Sequence, residues 1–114
     1  MNKRKLVRTL VLGLTVFAGM AFAQSNDSLR AVEGTVADAD GSPVNGAIVQ
    51  LKDTKSLQIR SFITRENGAY MFQGLKKSVE YELKAKFKDR ESKPKLLTIY
   101  DDRQRASMDL KLEN

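Results

Sequence analysis

The sequence predicts an all-β protein, a small antiparallel sandwich of about seven strands behind a short export segment. Three observations predict it. Apolar and polar residues alternate with period two from Val32 to the last residues, the spacing of strands with one buried face. Turn-forming Gly, Pro, Asn and Asp recur between those runs. Nothing after residue 23 repeats with the spacing of an amphipathic helix.

The N-terminus is read first, because it changes the charge balance. Lys3, Arg4, Lys5 and Arg8 precede an apolar run, and Ala21-Phe22-Ala23 supplies a small-x-small site before Gln24. That order describes a secretory signal peptide over residues 1–23, cleaved between Ala23 and Gln24. The uncharged run from Thr9 to Ala23 is 15 residues, short of the ~20 a membrane-spanning helix needs. No arginine pair marks the twin-arginine route, and no cysteine stands ready to carry a lipid. The expectation is a protein exported by the general secretory route, periplasmic or extracellular, and not an integral membrane protein after cleavage. Cleavage removes four of the 20 basic residues and none of the 14 acids, leaving 91 residues of net charge +2. Most of the basic character therefore belongs to the leader, and the case for nucleic acid goes with it. Ninety-one residues make one domain with one small core.

Residues 24–30 are polar and read as a flexible lead-in to a domain spanning 31–114. Val32, Gly34 and Val36 form the first alternating face, and Ala47, Val49 and Leu51 the second. Between them, Asp38, Asp40, Gly41, Pro43 and Gly46 read as a turn in which both acids accept backbone N–H bonds and Gly41 takes left-handed φ. Gly46 lets the next strand start close to its neighbour. Leu57 to Thr64 is the third strand. Alternation alone does not choose its inward face, since Ile59 and Ile63 oppose Phe62; the face with Phe62 and Thr64 is preferred. Glu66-Asn67-Gly68 turns the chain into Tyr70 and Phe72, and Gly74 closes that strand. Val79, Tyr81, Leu83, Ala85 and Phe87 then face Glu80, Glu82, Lys84, Lys86 and Lys88 across the cleanest alternation in the chain. Lys88 to Lys95 is polar and turns. Leu96 to Tyr100 is a short apolar run, Asp101 to Gln104 a turn, and Ala106, Met108, Leu110 and Leu112 the last strand.

Taken in order, Val32-x-Gly34-x-Val36-x-Asp38-x-x-Gly41-x-Pro43-x-x-Gly46-Ala47-x-Val49-x-Leu51 resembles the opening of the carboxypeptidase regulatory-like domain family. Thr64-x-x-x-Gly68-x-Tyr70-x-Phe72-x-Gly74-Leu75 and Tyr81-x-Leu83-x-Ala85 continue the likeness as far as Phe87. Where members usually carry a glycine-containing hairpin, this chain has Lys88-Asp89-Arg90-Glu91, so the pairing of the last two strands stays open. The resemblance implies a prealbumin-like (transthyretin-like, Ig-related) sandwich. Such domains are non-catalytic appendages of secreted carboxypeptidases and outer-membrane receptors, or small exported proteins, with carbohydrate-binding modules among related folds.

Chemistry is scarce. The chain has no His and no Cys, which removes Ser-His and Cys-His nucleophiles and ordinary zinc sites. Laid on a calcium-binding loop, Asp38 and Asp40 would be ligands, but the required glycine and closing glutamate fall on Pro43 and Val49. That stretch is a turn, and so is Asp101-Asp102. Every candidate acid for a glycosidase pair sits at a turn or on an outward position. No catalytic residue, cofactor or metal is expected. Lys84, Lys86 and Lys88 share their face with Glu80 and Glu82, and no exposed aromatic interleaves them. The expected role is a non-catalytic accessory module contacting an envelope or extracellular protein, with carbohydrate binding as the alternative. Tyr100 is the aromatic expected to reach solvent and contact a ligand.

Overall fold

The computed structural model describes residues 28–114. The helical signal peptide expected over residues 1–23 and its expected cleavage site lie outside the described residues. The described residues form nine strands: β1 Leu29–Ala37, β2 Ile48–Asp53, β3 Ile59–Ile63, β4 Ala69–Lys76, β5 Tyr81–Phe87, β6 Arg90–Glu91, β7 Lys95–Leu97, β8 Arg105–Ser107 and β9 Leu110–Lys111. β6 and β7 both flank β5, and β8 and β9 both flank β1. The nine strands therefore fill seven positions in two sheets. Sheet I runs β4-β1-β8/β9 and sheet II runs β3-β2-β5-β6/β7. This is the expected sandwich.

Sheet II is antiparallel throughout, with β2 and β5 in register from Ile48↔Lys86 to Asp53↔Tyr81. Sheet I departs from the antiparallel expectation at its last position, where β8 and β9 run parallel to β1. The cause is the route of the chain. After β7 it crosses to sheet I at the end where β1 begins, joined there by the Ala31 N–H to Gln104 carbonyl bond of 2.9 Å, and both strands leave that end together.

Alternation places the core. Val32 and Val36 of β1, Val49 and Leu51 of β2, Tyr70 and Phe72 of β4, and Tyr81, Leu83 and Ala85 of β5 are buried with Leu97, Ala106, Leu110 and Leu112. Phe62 and Phe87 pack half-buried against them. On β3 the preferred face is the inward one, since Thr64 is buried while Ile59 and Ile63 are exposed. The Thr64 hydroxyl donates to the Val44 carbonyl and accepts the Ala47 N–H, so its burial leaves no polar atom stranded.

Several expectations need correction. The lead-in boundary at residue 30 falls inside β1, and Arg30 is buried. Gly74 does not close β4, which continues to Lys76; positive φ at Gly74 and a register shift between Arg30 and Val32 mark a bulge instead. Val79 lies before β5, half-buried. The polar run after Phe87 contains a two-residue hairpin, with Phe87 opposite Arg90. Lys88 stands at φ 58° in that hairpin, the conformation a glycine would supply without strain.

Candidate functional site

The turn that raised the metal question is built by one acid. Asp38 Oδ1 accepts the N–H groups of Asp40 and Ser42 at 3.0 Å each, while Gly41 at φ 91° returns its own N–H to the Asp38 carbonyl. Asp40, expected to share that work, is exposed, and its carboxylate takes no hydrogen bond among the described residues. Pro43 bridges to Ala37. Gly46 serves by its φ of 87° rather than by close approach, since an added Cβ would meet only Phe87 at 3.9 Å. Among the described residues no three acidic, His or Cys side chains gather as metal ligands.

The tightest approach is at Gly34, followed by Gly68, where a Cβ would lie 2.6 Å from the Val36 oxygen. A Cβ at Gly34 would lie 1.8 Å from the Met108 carbonyl oxygen. Between β8 and β9 the last strand breaks, and that carbonyl accepts the Tyr70 hydroxyl at 2.5 Å. Asp109 fills the gap in the ladder, its Oδ1 taking the Thr35 N–H at 3.0 Å and the Thr35 hydroxyl at 3.2 Å. Burial, with a smaller push from the Asp109 charge, raises the Tyr70 pKa well above the usual phenol value.

Arg30 organises the loop end. Its guanidinium donates to the Val79 carbonyl at 2.8 Å and to the Thr98 and Asp101 carbonyls at 2.9 Å each. It thereby ties β1 to two loops that sequence reasoning left separate. Burial lowers its pKa, opposed by the Asp101 charge. Asp101 itself is held ionised, at about 2, chiefly by the Arg103 side chain, which donates to it at 2.6 and 2.9 Å. Asp53 is likewise lowered, first by the Ser56 N–H and then by that of Lys55. Tyr100 projects from this end, 88% exposed, as expected of the candidate ligand contact.

The second candidate is an open groove of about 700 Å³ across the outer face of sheet I. Glu33, Thr35, Met71, Gln73, Ser107 and Asp109 line it, together with Phe62 and Arg65. Both acids in the groove are engaged, Asp109 with Thr35 and Glu33 with Arg105 at 3.6 Å. Its aromatic lining is Tyr70, which is buried, and Phe62 of β3, which is half-buried with the Arg65 guanidinium 5.8 Å over its ring. The Lys84–Lys86 stripe is neutralised in part by Glu91, at 3.2 and 3.8 Å. Of the motif residues, Ala47, Gly68, Tyr81 and Leu83 serve packing and turns: Ala47, Tyr81 and Leu83 are buried, and Gly68 takes φ 75°.

Two stacked sheets, a polar turn built on Asp38, and Gly34 under the last strand define a small β-sandwich module of the prealbumin-like kind. The chain belongs to the carboxypeptidase regulatory-like domain family, whose model matches residues 31–113. No curated protein matches it in sequence. Among solved structures it is similar to catechol 1,2-dioxygenase from Acinetobacter sp. ADP1, with TM-score 0.59 and 16% identity over 82% of this chain and 55% of that one. It is similar to the dioxygenase domain of a dioxygenase–carbohydrate-binding fusion from Streptomyces sp. SirexAA-E, with TM-score 0.56 and 14% identity over 80% and 84%. It also resembles BcpA, the major pilin subunit of Bacillus cereus, with TM-score 0.59 and 16% identity over 75% of this chain and 30% of that one. The chain spans about half the length of the first two dioxygenases it matches, 55% and 54%. At such identities the likeness is one of fold.

Proposed function

We propose that this chain is an exported, non-catalytic accessory module of the cell envelope that works by contact with another protein. One observation carries the reading: the most strongly perturbed titratable groups serve the fold. Asp53 is lowered because it caps a turn, and Asp101 chiefly because it binds the Arg103 side chain, the opposite of the raised carboxyl a general acid requires. Tyr70 is raised because it is buried against Met108. The basic leader and small-residue site of residues 1–23 support export, and the fold shared with a pilin subunit is compatible with an extracytoplasmic structural role. Carbohydrate binding is the second reading, favoured by the exposure of Tyr100 beside Asp101 and Asp102.

The test is recovery of the tagged protein from its native host after in-cell crosslinking. The expected result is a chain beginning at Gln24 in the envelope or periplasmic fraction, joined to a discrete protein partner. A full-length cytoplasmic chain, or purified protein that turns over peptides or glycosides at ordinary enzyme rates, overturns the reading. A glycan whose binding is lost in Tyr100→Ala would establish the second reading instead.

A further inference from the structure

A sandwich has four sheet edges, and three of these are interrupted. β4 is bulged at Gly74, β6 and β7 are separated by a break containing Ser92 and Pro94, and β8 and β9 by Met108 and Asp109. β3 is continuous from Ile59 to Ile63 and holds no Gly, Pro, Lys or acid, the residues that usually blunt an edge. Its free backbone groups follow from the ladder. Thr64 donates its N–H to Ala47 and accepts from Gly46, and Gln58 accepts from Asp53. The even-numbered residues therefore bond β2, and Ile59, Ser61 and Ile63 direct their N–H and C=O groups away from it. Among the described residues no strand pairs that edge. Arg60, the charged residue of this strand, is committed to β4 of its own chain, donating to the Gln73 carbonyl at 3.0 Å and lying over the Phe72 ring.

The outer face of this edge is apolar. Ile59 is 54% and Ile63 66% exposed, and Ile48, paired with Ile63 across β2, is 41% exposed. The residues of β3 that face outward, Ile59, Ser61 and Ile63, read alike in both directions about Ser61. We propose that β3 pairs antiparallel with β3 of a second copy of this chain, about a two-fold axis through Ser61, joining sheet II of the two copies into one continuous sheet. This deepens the reading of the chain as a protein-contact module and rests on it. Such a pairing puts Ile59 opposite Ile63 of the second copy, Ser61 opposite its counterpart, and Ile63 opposite Ile59. Each of these pairs exchanges both backbone bonds. Cross-strand isoleucine pairs then cover one another on the outer face. The same register lays the turn bearing Asp53 and Lys55 beside the turn of the second copy bearing Arg65 and Glu66, twice over, so turns of mixed sign and no net like charge meet at both ends. A five-residue pairing is at the small end of specific interfaces, and it predicts a dissociation constant on the order of 10–100 μM.

The chain has no native cysteine, which makes a thiol test clean. In a hydrogen-bonded antiparallel pair the two Cα atoms lie about 5.5 Å apart, within disulfide reach. Purified Ser61→Cys protein under mild oxidation is expected to form covalent dimer at least tenfold faster than Lys111→Cys, a control on an exposed position of β9. Sedimentation equilibrium is expected to show dimer in the unmodified protein. Ser61→Pro, which deletes an edge-facing N–H and also fixes φ at that residue, should be monomeric; Ile63→Lys, which leaves the backbone unchanged, should be monomeric with a melting temperature close to that of the unmodified protein. A monomer at 500 μM (a concentration of our choosing, roughly tenfold above the expected constant), crosslinking no faster than the control, or a dimer that survives the edge variants overturns the proposal. Capture of a different envelope protein by a monomeric chain also overturns it, while leaving the accessory-module reading in place.

Discussion

Gly34→Ala is the substitution whose cost the structure sets most sharply. The new methyl would lie 1.8 Å from the Met108 oxygen, 2.6 Å from its carbonyl carbon and 3.0 Å from Tyr70 Cε2. Two of those atoms are backbone, so no rotamer change relieves the contact. The last strand must move away, and two hydrogen bonds go with it: Tyr70 hydroxyl to Met108 carbonyl at 2.5 Å, and Met108 N–H to Glu33 carbonyl at 2.9 Å. Each is worth about 1 kcal/mol net, more where a partner stays buried and unpaired, and overpacking adds about 1–3 kcal/mol. The sum is about 3–5 kcal/mol against a total stability of ~5–15. For a domain of this size that lowers the melting temperature by at least about 12 °C. Gly41→Ala is the control: its φ is 91° and nothing lies within 4 Å of the added carbon, so only the left-handed backbone is penalised, by about 1–2 kcal/mol. Calorimetry that finds Gly34→Ala no worse than Gly41→Ala refutes the packing argument.

Three further outcomes follow. Arg30→Ala leaves the carbonyls of Val79, Thr98 and Asp101 without their donor and should cost at least about 3 kcal/mol in urea titration; an unchanged midpoint would return residue 30 to the flexible lead-in. Lys88→Gly removes the strain of φ 58° in the β5–β6 hairpin and should stabilise by about 0.5–1 kcal/mol, whereas a lower melting temperature would mean the Lys88 side chain matters more than its backbone. Asp101 titrates near 2, below its ordinary 3.8, so its stabilisation is complete above the ordinary value and lost as pH falls through the folded one. The stability difference between the unmodified protein and Asp101→Asn should therefore narrow from pH 5 to pH 2, and a constant difference would rule out the Arg103 pairing as its source.

Local pattern made much of this molecule legible. Tyr81, Leu83 and Ala85 are buried because their alternation with Glu82, Lys84 and Lys86 leaves only one face that can enter a core. Asp38, Gly41 and Pro43 announce their turn because each solves a local backbone problem. What escaped depends on partners far away in the chain. Arg30 follows a polar stretch with no periodic signal, and the carbonyls it binds are 49 to 71 residues distant. Gly34 looked like one more strand glycine until Met108 was brought over it. The breaks between β6 and β7 and between β8 and β9 are likewise invisible locally, because Ser92 and Asp109 replace ladder bonds with side-chain bonds. The exposure of Tyr100 was readable from its acidic surroundings. The open edge at β3 was not, since it exists only once β4 departs to the other sheet.

The claim beneath all of this is that β5 sends one face into the core and the other to water. Chemical denaturation of Leu83→Asp beside Lys84→Asp tests it most directly. Leu83 is fully buried, and an unpaired charge there costs several kcal/mol, so the protein should not fold. Lys84 faces outward, and its replacement by Asp exchanges an exposed attraction to Glu91 for an exposed repulsion, a change of about 1 kcal/mol. Equal losses in the two variants, or a folded Leu83→Asp protein, would contradict the account.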